Sequence, residues 1–132
     1  MMHPYDRWGF SQMTKEQDDL YWNYAVARFS AFANVWWSLA NEYDLMPHKA
    51  IQDWERYASI LCEKDPYHHM RSIHNCVSLY DFSRPWITHC SVQRTDLYKS
   101  SEITNELRER IISLLCLTKL LMRVIYSMDG EI

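Results

Sequence analysis

The run Val35-Trp36-Trp37-Ser38-Leu39-Ala40 constrains this chain more than any other stretch. It is too short for a helix between its neighbours. It is also bulky and nearly unbroken, as a parallel strand buried on both faces should be. Parallel strands cannot be joined by a tight turn and need a crossover, usually a helix. The flanking sequence supplies that rhythm. Thr14-Lys15-Glu16-Gln17 fits a capping box with Thr14 as N-cap. Trp22, Val26, Phe29 and Ala33 then recur at i, i+4, i+7 and i+11, the spacing of one apolar helix face. Pro47 suits the first turn of a second helix, whose buried face is Ile51, Trp54, Ala58 and Leu61 and which Asp65-Pro66 ends. Met70-Arg71-Ser72-Ile73-His74 and Pro85-Trp86-Ile87-Thr88-His89 read as two further strands. A last helix, from about Ser101, is carried by Ile103, Leu107 and Ile111.

Helix, strand, helix, strand, short link, strand, helix is the order of βα units around a parallel sheet, so the fold class is α/β. Three strands do not close a barrel. A (β/α)8 barrel takes about 200–250 residues or more, and this chain has 132, which makes it roughly half of one.

Composition excludes several alternatives. The net charge is −3, so there is no electrostatic case for nucleic acid. No apolar run reaches the roughly 18–20 residues of a membrane span. Met1-Met2-His3-Pro4-Tyr5-Asp6 lacks the basic start and apolar stretch of a signal peptide, so a cytoplasmic location is expected. Cys62, Cys76, Cys90 and Cys116 are too sparse for a disulfide scaffold, so thiols are expected. There are only two glycines, Gly9 and Gly130, where average usage would give roughly nine. A complete enzyme with many tight loops would carry more.

Three strands end in polar groups: Asn41-Glu42, His74-Asn75, and His89 with Gln93 close behind. In a parallel barrel those ends meet around one mouth, where such folds do chemistry. A carboxylic acid there suggests a glycosidase general acid/base, with donors to hold sugar hydroxyls and aromatic faces to stack on the sugar. Glycoside hydrolysis needs two carboxylates, and the second is not evident. Taken singly, each residue also has a plain reading: Glu42 as a helix-start carboxylate favoured by the macrodipole, the histidines as satisfied loop residues. A soft divalent metal gathered by His74-Asn75-Cys76 and His89-Cys90, with His68 or His69, is a weaker alternative. No Cys-x-x-Cys or His-Glu-x-x-His spacing supports it, and neither metal nor cofactor is expected.

Five segments carry a resemblance: residues 3–10 (His-Pro-Tyr-Asp-Arg-Trp-Gly-Phe), residues 34–46 around Asn41-Glu42-Tyr43, Asp65-Pro66-Tyr67, residues 71–75, and residues 85–89. Over about residues 3–109 the chain resembles the apiosidase-like glycoside hydrolases, bacterial TIM barrels of the retaining clan whose acid/base follows an Asn at the end of strand four. The resemblance implies that Glu42 is the acid/base and that Asn41 touches the sugar 2-hydroxyl. It also implies that His3, Tyr5, Asp6, Trp8, Tyr43, His74, Asn75, His89 and Gln93 line the pocket, and that the partner is an oligosaccharide or other glycoside.

The chain departs from that family twice. It begins at the end of strand three, and it diverges after about Arg110, where the family continues into strand seven with Lys-Pro-Val-Val-x-Asp-Glu and the nucleophilic glutamate. Here the chain reads Ile-Ile-Ser-Leu-Leu-Cys-Leu-Thr-Lys-Leu-Leu-Met over residues 111–122. Codons compatible with residues 111–132, read from the third base of the first, can spell His-Lys-Pro-Val-Val-Leu-Asp-Glu-Val-Ala-Tyr-Glu-Gly-Asn-Ile-Gln-Tyr-Gly-Trp-Gly-Asn. Only the first base of each shifted codon is free, so a match this long argues for a frameshift near residue 110. The expected organisation is therefore a partial (β/α)8 TIM barrel over residues 1–109, from about the end of strand three to helix six, and an out-of-frame tail over residues 110–132. Leu114, Leu115, Leu117, Leu120, Leu121 and Val124 would make the tail a helix, apolar nearly all round and prone to self-association. The competing class is a non-catalytic helical interaction protein with that tail as an oligomer seam.

Overall fold

In the computed structural model, the residues described are 2–92, Glu102, Asn105 and Glu109, and the backbone of Leu114–Cys116. The elements run α1 (Lys15–Phe29), β1 (Trp37–Ser38), α2 (Ile51–Lys64), β2 (Arg71–Ser72), β3 (His89–Ser91) and β4 (Leu114–Cys116). Short 3-10 turns lie at Phe10–Gln12 and Tyr43–Leu45. Gly9 opens the first of these at φ 85°, a conformation that suits glycine because it lacks a Cβ.

Among the described residues every strand pairing is parallel and follows chain order. β1 pairs with β2 in the register Trp37 with Arg71 and Ser38 with Ser72. β3 pairs with β4 from His89 opposite Leu114 to Ser91 opposite Cys116. Single parallel bridges extend the series, Met2 with Ala40 and His74 with Ser91. The expected strands at 35–40 and 70–74 are thus present in shorter form. The third is displaced: the pairing residues are His89–Ser91, not 85–89, because Arg71 and Thr88 first exchange bonds at the strand entrance.

The expected tail helix is corrected where it can be seen, since Leu114–Cys116 form a strand. Periodicity does not separate a short apolar run in a strand from one in a helix, and here the open edge of β3 decides it. The rest of the expected tail helix lies outside the described residues. Glu102, Asn105 and Glu109 are helical and exposed; Ile103, Leu107 and Ile111, expected to carry the last helix, also lie outside the described residues.

Helix α1 starts as its sequence requires. Gln17 N–H donates to Thr14 Oγ1 at 3.4 Å, and the Thr14 N–H donates back to the Gln17 side chain at 2.9 Å. Its buried face is Trp22, Ala25, Val26 and, unexpectedly, Asp18. Phe29 is half exposed, and Ala33 lies beyond the helix end. Helix α2 begins four residues later than Pro47 suggested: Ala50 precedes it, and Asp53 accepts the Ala50 N–H at 2.9 Å. Its buried face is Trp54, Tyr57, Ala58 and Leu61, while Ile51 is exposed.

The strands are two-faced. Trp37, Leu39, Ile73, Cys90 and Val92 join the helical Trp22, Val26, Trp54 and Leu61 in one apolar core. Burying each large side chain contributes roughly 1.5–3 kcal/mol. Alternate positions, Ser38, Ser72, His74, His89 and Ser91, belong to the other face, as the period of two demands. There Ser72 Oγ donates to His89 O at 2.7 Å.

Buried charge lies between the helices. Lys49 Nζ contacts Asp18 at 2.6 and 2.8 Å and donates to Met13 O at 2.8 Å; the Tyr57 hydroxyl donates to the same carboxylate. Asp65 ties the end of α2 to the entrance of β1: its carboxylate accepts Trp37 Nε1–H and His69 N–H, both at 2.9 Å. Among the described residues no helix is long and apolar enough to cross a membrane, and Cys62, Cys76 and Cys90 are not joined in disulfides.

Candidate functional site at the strand ends

The C-terminal ends of the strands converge through backbone bonds. Met2 N–H donates to Leu39 O at 3.1 Å and Asn41 N–H to Met2 O at 2.8 Å. His74 N–H donates to Ala40 O and Tyr43 N–H to His74 O, each at 3.0 Å. The chain after Met2, the Asn41-Glu42 pair and the His74-Asn75 pair are thereby held side by side.

Glu42 is 2% exposed and left-handed, at φ 58° and ψ 55°. That conformation is rare for a residue with a Cβ, costs of the order of 1–3 kcal/mol, and gathers at functional sites. It lets the chain reverse at the strand end into the 3-10 turn, which Leu45 N–H closes on Glu42 O at 3.0 Å. The Tyr5 pKa is raised above its ordinary value, first through hydrogen bonding with Glu42.

Two loops are locked together by a residue that the sequence reading passed over. Asp44 accepts the backbone N–H groups of Cys76, Val77 and Ser78 at 2.7, 2.8 and 2.7 Å. Burial alone would raise its pKa, but those backbone donors hold the carboxyl below its ordinary value. The signal was an Asp two residues past a strand-end acid, which a sequence cannot link to a loop about thirty residues on. Ser91 was missed as well. It ends β3, and its Oγ lies 2.9 Å from His74 Nδ1, so it orients that ring. Both are buried.

The residues expected at the mouth divide. Asn41, Glu42 and His74 come together, with Asn75 wholly buried beside them, whereas Tyr5 is largely exposed. His3 is half-buried just ahead of Tyr5. His89 does not sit at a strand end. It begins β3, level with Ser72, and its ring stacks on Trp36 at 5.2 Å, ahead of β1. Burial lowers its pKa below the ordinary histidine value. Tyr43 packs its ring in the core, 5.0 Å from Tyr80 and 6.5 Å from Trp54. Asp6 braces a turn by accepting Trp8 N–H at 2.8 Å and Ser11 N–H at 3.0 Å. Trp8 is 86% exposed on that turn. Gln93 lies outside the described residues.

The metal alternative loses its geometry. His69 Nδ1 pairs with Asp65 at 2.9 Å at the strand entrances, whereas His74 bonds Ser91 at their exits. Among the described residues no three His, Cys, Asp or Glu side chains are grouped to hold a metal ion.

No protein-family model matches the chain, and no curated protein does. A solved structure does: a protein from Bacteroides vulgatus described as a "putative glycoside hydrolase", 37% identical, with a TM-score of 0.83. The similarity covers 87% of this chain and 23% of that one, so the chain spans about a quarter of the length of its structural relative.

Proposed function

We propose that this chain is part of a retaining glycoside hydrolase of the apiosidase-like kind, with Glu42 as its acid/base. The observation that carries the reading is the likeness to a protein described as a "putative glycoside hydrolase", at 37% identity over 87% of the chain. It coincides with a buried glutamate on left-handed backbone at a parallel strand end. In this reading the strands, paired in chain order, are an arc of a (β/α)8 barrel. Glu42 protonates the leaving oxygen and then takes a proton from the attacking water. Asn41 and His74 hold sugar hydroxyls, and the substrate is a glycoside or oligosaccharide.

A retaining enzyme needs its nucleophile about 5–5.5 Å from the acid/base. Residues 111–127 contain no carboxylate. In the shifted frame, Val-Val falls on residues 114–116, the backbone that pairs beside β3 as β4. Asp-Glu then follows within three residues, just as Asn41-Glu42 follows β1. In this reading the other frame would supply the missing group at a strand end, and the frameshift has removed it.

Nucleotide sequencing of the gene tests the frame: codons that do not spell Asp-Glu in the shifted frame sink that part. The 132-residue chain is expected to bind glycosides without turning them over. Aryl-glycoside turnover that vanishes in Glu42→Gln would mean that the chain carries its own nucleophile.

A further inference from the structure

We propose that the cleft between the two 3-10 turns is a sugar subsite. It takes one neutral sugar ring, the leaving-group unit of an oligosaccharide whose other ring lies at Asn41 and His74. The proposal rests on the reading of Glu42 as acid/base.

The cleft has a volume of about 160 Å3. A pocket for a drug-sized ligand takes roughly 300–1,000 Å3, so this one suits a single ring. One wall is Ser11 and Gln12, the other is residues 45–48, and Pro4 completes the lining. Each wall is fixed by its own backbone. Asp6 accepts the Ser11 N–H at 3.0 Å, and Gln12 N–H donates to Gly9 O at 3.0 Å. Met46 N–H donates to Tyr43 O at 3.3 Å, and Lys49 N–H to Met46 O at 3.2 Å. Lys49 then ties wall to wall: it follows His48, and its buried ammonium donates to Met13 O, just past Gln12, at 2.8 Å. The cleft is therefore formed before a ligand arrives, which lowers the ordering cost of binding.

The lining is matched to a carbohydrate, whose ring has an apolar C–H face and a rim of hydroxyls. Pro4, Leu45 and Pro47 offer apolar surface to the first. The Ser11 hydroxyl, the Gln12 amide and the His48 imidazole offer donors and acceptors to the second. Gln12 and His48 are exposed, so a ligand reaches them from solvent. Among the described residues that line the cleft none is Lys, Arg, Asp or Glu, so the ring it suits is an uncharged one.

The place of the cleft in the chain says which ring it takes. Leu45 and Met46 belong to the turn that begins at Glu42, and Leu45 N–H closes that turn on Glu42 O at 3.0 Å. Pro4 stands two residues past Met2, which is clamped to β1 by its N–H on Leu39 O and by Asn41 N–H on its carbonyl. Both walls thus continue directly from the mouth. An acid/base meets the oxygen that departs, so a cleft walled by its own turn receives the departing unit.

The test is binding by the full chain, followed by NMR and calorimetry. Saturation transfer against neutral disaccharides, and against the methyl glycosides of their non-reducing units, finds a matched pair. The disaccharide is expected to bind about tenfold tighter. It should move the Gln12 side-chain amide and His48 ring signals, which the methyl glycoside leaves in place. Gln12→Ala and His48→Ala should each weaken the disaccharide about fivefold, the worth of one hydrogen bond, and leave the methyl glycoside unchanged. Near-UV circular dichroism checks that both variants keep the fold. Equal affinity for the pair, with neither variant altering it, overturns the subsite and leaves the glycosidase reading standing. Tighter binding of a disaccharide with a uronic acid as its reducing unit overturns the neutral class. Failure of the parent chain to bind any member of the panel defeats the glycosidase reading and the subsite with it.

Discussion

Asp18 and Glu42 are both buried carboxylates, 1% and 2% exposed, yet they are built in opposite ways. Asp18 sits on a regular helix and meets a lysine, a tyrosine and an approaching arginine, all from the stretch between β1 and β2. Glu42 sits on left-handed backbone at a strand end and raises the pKa of a largely exposed tyrosine, Tyr5. The first arrangement closes a helix pair around a cancelled charge. The second keeps an acid on backbone that is rare for a residue with a Cβ. Buried charge by itself therefore does not mark a candidate site; the backbone beneath it separates the two acids.

The comparison breaks most visibly at Lys49. Lys49→Met leaves the Asp18 carboxylate buried without its cation, and loss of one partner from a buried pair costs about 3–5 kcal/mol. Urea unfolding should register that loss; a change below about 1 kcal/mol would mean that Tyr57 and Arg56 already satisfy Asp18.

Asp65→Asn should cost about 1–3 kcal/mol, because it weakens the bonds to Trp37 and His69. It should also change the acid response. Burial opposes ionisation of Asp65, but the Trp37 and His69 bonds hold its pKa below the ordinary 3.8. A depressed folded pKa contributes stability that is present above the unfolded value and lost as pH falls through the folded one. The parent chain should therefore lose stability below about pH 4 more steeply than the variant, as thermal melts over that range would show.

Asp44→Asn should cost about 1–2 kcal/mol by weakening three backbone bonds at the mouth. Its larger consequence should be weaker glycoside binding, since the loop carrying His74 and Asn75 loses its tie to the Glu42 turn. Unchanged affinity by calorimetry would separate that loop from the site.

The smallest effect on stability should come from the site itself. Glu42→Gly relieves a left-handed residue, so the free energy of unfolding should hold steady or rise by up to about 1 kcal/mol. Glycoside binding should fall in the same variant. A marked destabilisation would place Glu42 with Asp18 as a structural acid.

The sequence alone determined the helices and the candidate acid. Thr14 and Gln17 form their box locally, and Trp54, Ala58 and Leu61 repeat at helical spacing, so α1 and α2 were legible from period and capping. The strand-end Glu42 was legible because an apolar run stops there. Tertiary structure decided everything that required partners distant in the chain. Leu114–Cys116 became a strand because the edge of β3 offers unpaired backbone groups, which an apolar run cannot announce. Asp18 was buried because Lys49 reaches it, and Asp44 was enlisted because the loop after β2 turns three N–H groups toward it. His89 left the mouth because the register with Ser72 set its level, and Ser91 took the place beside His74. Periodicity and caps are written within a few residues of one another; register and charge pairing exist only once the strands have met.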